Sequence, residues 1–173
     1  MSATNIRLRT TGTHMAIAMG ILVIPLVLFI TMCQPGGGSA PTIDANRVYD
    51  AAAHEGAFTV ERPKGLPDGY KATQSAFRPH NGGAITVRVT YITPSDKALQ
   101  FVQTNRDATT AIEEGLGNTR LDATETVAER TWQRYPLERA GETGYVLLDG
   151  ERTAYVAGDA TQEEMRTFIS SLN

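Results

Sequence analysis

Three histidines, one cysteine and several paired carboxylates are the groups in this 173-residue chain whose types suit chemistry. His14 lies at the start of an apolar run. His54 falls in the last turn of a helical stretch, where exposed carbonyls and the helix dipole favour a histidine without any catalytic role. His80 opens a turn and has the side chain of a metal ligand or a base, yet no Cys, His, Asp or Glu stands beside it at ligand spacing. Structural zinc takes four ligands and catalytic zinc three, more than two usable histidines supply, so no metal or cofactor is expected. There is no Gly-x-Ser-x-Gly elbow and no Ser-x-x-Lys to mark a nucleophile, and no catalytic residue is assigned.

The acidic pairs read as surface. Glu113-Glu114 and Glu163-Glu164 are helix neighbours pointing about 100° apart, so they do not converge on one substrate. Asp122, Glu125 and Glu129 lack a calcium-loop pattern, and Gly36-Gly37-Gly38 lacks the Lys and Ser/Thr of a phosphate loop. Three side chains remain as candidates for holding a partner: Trp132, Tyr135 and Arg88. Trp132 and Tyr135 are three apart and cannot share one face of a regular strand, which leaves a bulge or two differently exposed aromatics. Arg88 lies on the polar face of an alternating strand, beside Thr86 and Thr90. Burial of both aromatics and solvation of Arg88 are the plainer readings of the same residues.

The elements that position these residues follow from pattern. Ile43, Asp44 and Val48 have the form of a staple around an Asp cap, opening a helix that Gly56 ends. Pro63 to Gly69 is a loop by composition. Tyr70–Pro79 and Ala84–Thr93 flank His80-Asn81-Gly82-Gly83, a hairpin signal, and Ile85, Val87, Val89 and Tyr91 alternate with polar residues as in a half-buried strand. A strand is expected over Ala98–Thr104, then a short helix capped by Asp107 and ended by Gly115-Leu116. Thr126 to Leu137 reads as one extended stretch. Gly144–Leu148 and Thr153–Ala157 join through Asp149-Gly150 as a second hairpin. Thr161 and Glu164 form a capping box ahead of a helix whose Met165, Phe168, Ile169 and Leu172 make one apolar stripe. The expected fold is α+β: an antiparallel sheet of about six strands with flanking helices, preceded by one N-terminal transmembrane helix.

That last element rests on Met15 to Met32, 18 residues without a charge. As a helix they span roughly 27 Å, close to the ~30 Å core of a bilayer. Arg7 and Arg9 precede the run, so the bias toward positive cytoplasmic flanks predicts a cytoplasmic tail at 1–14, a transmembrane helix at 15–33, a Gly/Pro linker at 34–41 and an extracytoplasmic domain at 42–173. A cleaved signal peptide is the alternative for the same run. Cys33 has no partner for an intramolecular disulfide, and Ile30-Thr31-Met32-Cys33 is a loose match to a lipobox, with Met32 where a small residue belongs. All 19 acidic residues and all but two of the 16 basic ones follow Pro41, leaving that part with a net charge of −5. Such a balance argues against nucleic acid as a partner.

Several motifs in order resemble an actinobacterial membrane-anchored envelope family catalogued as domain of unknown function 4245. They are the apolar run ending in Cys33-Gln34-Pro35, the loop Gly65-Leu66-Pro67-Asp68-Gly69-Tyr70, Thr90-Tyr91-Ile92-Thr93-Pro94, Thr131-Trp132-Gln133-Arg134-Tyr135, and Gly158 to Met165 opening the last helix. The resemblance covers nearly the whole chain and implies no activity or site. Tyr70 departs from the Trp usual there in the family. The Leu-Pro-Asp-Gly-aromatic loop feeding a hairpin, with a terminal helix, also resembles the PsbP/Mog1 superfold, which implies an accessory role more than an enzyme. Together these readings give a single-pass cell-membrane protein whose outer domain binds or assists an envelope protein or other envelope component, without catalysis. The alternatives are a cell-wall-directed hydrolase or transferase built from dispersed carboxylates, and a lipid carrier.

Overall fold

Strand alternation is the strongest organising signal in the folded domain. Ile85, Val87, Val89 and Tyr91 are buried while Thr86, Arg88, Thr90 and Ile92 are half-buried, because successive side chains of a strand point to opposite faces. A computed structural model of the protein describes residues 15, 17, 19, 21–23, 25, 41–139 and 141–172. The chain divides into two compact units, 1–39 and 40–173, and each is described by itself.

In the second unit seven strands form one antiparallel sheet: β1 (Lys71–Pro79), β2 (Ile85–Ile92), β3 (Ala98–Thr104), β4 (Ala123–Val127), β5 (Arg130–Pro136), β6 (Thr143–Leu148) and β7 (Thr153–Gly158). Their spatial order is β1-β2-β3-β7-β6-β5-β4, two meanders joined at the centre by β3 and β7. Helix α1 (Asn46–Glu55) precedes the first meander, α2 (Ala108–Leu116) connects the two, and α3 (Gln162–Ser170) follows the last strand.

The sheet buries apolar side chains on both faces. On one, α1 and α3 supply Tyr49, Ala52, Met165, Phe168 and Ile169 against Val87, Val89, Phe101, Tyr145, Val156 and Trp132. The Phe168 ring lies 4.9 Å from Tyr91 and 5.5 Å from Phe101, filling the space between sheet and helices where a carried lipid would have to sit. On the other face, Leu116 and Ile112 of α2 pack on Val102, Tyr135, Val146, Tyr155 and Ala157. This second layer covers only the middle of the sheet.

The domain differs from its sequence reading in three places. There are seven strands where about six were expected, because the stretch read as one extended run from 126 to 137 crosses a hairpin turn, β4 turning into β5 through Ala128 and Glu129 at φ of 50° and 62°. No bulge separates Trp132 from Tyr135: β5 runs in continuous register with both neighbours, and the two rings sit on opposite faces. Helix α2 ends at Gly117 (φ 81°), while Gly115 lies inside it.

The expected transmembrane helix is also corrected. Among the described residues no helix is long and apolar enough to cross a membrane. Those of the apolar run that are described, Met15, Ile17, Met19, Ile21, Leu22, Val23 and Pro25, are helical and exposed. The single-pass anchor, the membrane as partner, the cytoplasmic and extracytoplasmic sides and the cell-envelope setting all rested on that span and fall with it. The tail at 1–14, Cys33 and the linker from 34 to 40 lie outside the described residues.

Candidate functional site

Pairing register decides which side chains share the second face. Ala76 pairs with Arg88 and Arg78 with Thr86, so the polar residues of β2 lie beside an alanine and an arginine of β1. On the other side Thr86 pairs with Thr104 and Arg88 with Val102, which in turn pairs with Tyr155. Helix α2 covers the face from β3 to β6 and stops short of β1 and β2. A trough remains along its flank, made of two hollows of about 60 and 30 Å³ that share Thr86, Arg88, Arg106 and Glu114.

A ladder of hydroxyls forms its floor. Thr104 Oγ1 donates to the Ile85 carbonyl at 2.8 Å and accepts from the Arg106 amide at 3.2 Å. Its proton being committed, Thr86 Oγ1 must donate across the 3.0 Å contact to Thr104. His80 Nε2, 2.9 Å from Thr86 Oγ1, is then the donor. The ladder spends its protons inward and holds β1, β2 and β3 together.

The charged groups stand above it. Arg106 grips Glu114 with both nitrogens, Nη1 to Oε2 at 2.5 Å and Nη2 to Oε1 at 3.0 Å, the fork geometry that suits a carboxylate. That hydrogen bond, with the nearby charges of Arg106 and His80, holds the Glu114 carboxyl below its ordinary range. Arg88 is different. Neither it nor Arg78 meets a carboxylate within 4.0 Å among the described residues. Tyr155 lines the same hollow as Arg88; burial raises the pKa of its hydroxyl and the nearby guanidinium partly offsets that. Tyr155 can lie there because Gly115 has no side chain: a Cβ at 115 would stand 2.3 Å from Tyr155 Oη and 2.4 Å from Cζ.

Of the three residues singled out from sequence, only Arg88 reaches the trough. Trp132 is fully buried under α3, with the Arg130 guanidinium 5.8 Å from its ring centroid. Tyr135 is buried in the opposite layer and donates to Gln133 Oε1 at 2.8 Å. Sequence reasoning missed Arg78, Arg106, Glu114 and Tyr155. The hairpin register could have placed Arg78 opposite Thr86, but Arg106, Glu114 and Tyr155 arrive through the crossover, which leaves no local signal. A larger hollow of about 310 Å³ lies beside the start of α2. Its Asp107 is engaged in capping Thr110 and its Arg152 is bound to Asp149 and Glu61.

A family model described as "Protein of unknown function (DUF4245)" matches residues 7–172. The chain belongs to the DUF4245 family. No curated protein and no solved structure matches this DUF4245 chain. Three of its carboxylates are engaged in ion pairs: Glu61 with Arg130 and Arg152, Glu125 with Arg134 and Arg166, and Glu114 with Arg106.

Proposed function

We propose that the DUF4245 domain is a binding module that holds an anionic group of its partner in the trough between α2 and strands β1 and β2. The observation that carries this reading is Arg88: a half-buried guanidinium beside a buried phenol, with no carboxylate on it among the described residues, in a chain of net negative charge. A cation left unmatched in a partly dehydrated hollow gains most from an incoming anion, because both partners are already partly stripped of water. Trp132 and Tyr135 then serve the two apolar layers that hold the trough in shape.

Titration with small anions, followed through backbone amide resonances, tests it. Shifts should gather on β1, β2 and the two turns of α2 nearest Glu114, and Arg88→Ala should abolish them. Arg139→Ala, a change at an exposed pair with Glu142, should leave them in place. Shifts that gather elsewhere, or that survive the loss of Arg88, would overturn the reading.

A further inference from the structure

We propose that the anion taken by the trough is a tetrahedral dianion of the phosphate and phosphate-monoester class, and that Glu114 is the resident competitor it must overcome. This rests on the anion-binding reading above and specifies its ligand.

Charge comes first. Three guanidiniums, Arg78, Arg88 and Arg106, face one carboxylate, Glu114, across the two hollows, which leaves two positive charges for a ligand to match. Competition comes second. Glu114 is tethered in α2 and gives Arg106 both of its oxygens. A free carboxylate offers the same two acceptors without the tether, so exchanging one for the other gains nothing and loses the advantage of an intramolecular partner. A phosphate carries more charge and more acceptors, enough to engage Arg88 and the Tyr155 hydroxyl as well as the Arg106 fork. Size and lining come third. Hollows of about 60 and 30 Å³ admit a single oxyanion, not a base or a sugar ring, and no exposed aromatic face lines them. The ester arm of a bound monoester therefore lies in solvent.

The experiment is calorimetric titration of the full chain at constant ionic strength and about pH 7.5, where phosphate is mostly doubly ionised. The probes are inorganic phosphate, O-phosphoserine and acetate. Phosphate should bind about tenfold more tightly than acetate, with phosphoserine within about threefold of phosphate. Glu114→Gln should tighten phosphate about five- to tenfold, and Arg88→Ala should weaken it at least about tenfold. Arg88→Lys, which keeps the charge and loses the fork, should fall between, with unchanged circular dichroism showing that both Arg88 variants are folded. Acetate binding as tightly as phosphate, phosphoserine being excluded, or Glu114→Gln leaving affinity unchanged would each overturn the dianion assignment. In those cases the anion-binding reading stands if Arg88→Ala still weakens the anion that binds. If Arg88→Ala changes nothing, both fall.

Discussion

Two arginines, Arg152 in the turn between β6 and β7 and Arg88 in β2, meet opposite treatment. Arg152, with a side chain only 5% exposed, is bound by Glu61 at 2.5 Å, by Asp149 at 2.7 Å, by the Thr59 carbonyl at 2.6 Å and by Gln103 Oε1 at 2.9 Å. Gln103 in turn exchanges bonds with the backbone of Glu61, and Arg130 adds a second cation on the same carboxylate at 2.6 Å. Arg88, half-buried on the other face, has a phenol beside it and no carboxylate among the described residues. An unmatched charge in the interior costs several kcal/mol, so Arg152 is tolerated only because the chain brings carboxylates to it. Where water still reaches, as at Arg88, the cost is small and the cation stays available. The first arginine stitches the 57–64 segment to the sheet; the second faces outward without an internal job.

The largest expected effect breaks the buried cluster. Arg152→Met should lower stability by about 3 to 5 kcal/mol in urea denaturation, because Glu61 loses one of its two cations and Gln103 and Thr59 lose a donor. A loss under ~1 kcal/mol would erase the contrast between the two arginines. Next comes the support of the trough. Gly115→Ala gains about 1 kcal/mol of helix propensity but drives a methyl into Tyr155, and a net cost of about 1 to 2 kcal/mol should appear together with a displaced Tyr155 resonance. Glu129→Gly relieves a left-handed residue in the β4–β5 turn and should raise stability by up to about 1 kcal/mol. That turn fixes which of Trp132 and Tyr135 faces which layer, since a slip of one residue would exchange them. The smallest effect sharpens the comparison most: Arg88→Ala should change stability by less than ~0.5 kcal/mol. A loss above ~1 kcal/mol would make Arg88 another structural arginine.

The residues that announced themselves did so through local chemistry. The capping box of Thr161 and Glu164 is present as read, Gly56 ends α1 in a left-handed conformation, and Met165, Phe168, Ile169 and Leu172 are all buried. The β4–β5 hairpin stayed hidden because its turn places Ala128 and Glu129 where Asn and Gly are the usual signal, so nothing in the residue types marks it. Gly115 misled for a related reason. A glycine near a helix end reads as a stop, whereas here it makes room for a ring delivered from 40 residues further along the chain. Of the trough, Arg88 and Thr86 were legible from strand alternation alone. Arg106, Glu114 and Tyr155 were not, since a site assembled across a crossover has no spacing to read.

The pairing of β3 with β7 carries a consequence for how the chain reaches this fold. Each meander is made of strands adjacent in sequence, and hairpins of that kind close quickly. The two central strands lie roughly fifty residues apart, so the ladder that unites the sheet must wait for the slower closure of a long loop. Until it closes, β3 and β7 each present an unpaired edge, and β7 (Thr-Ala-Tyr-Val-Ala-Gly) carries no charge to discourage pairing with another chain. The folding chain is therefore most vulnerable to aggregation at the same seam that, once closed, forms the middle of the sheet.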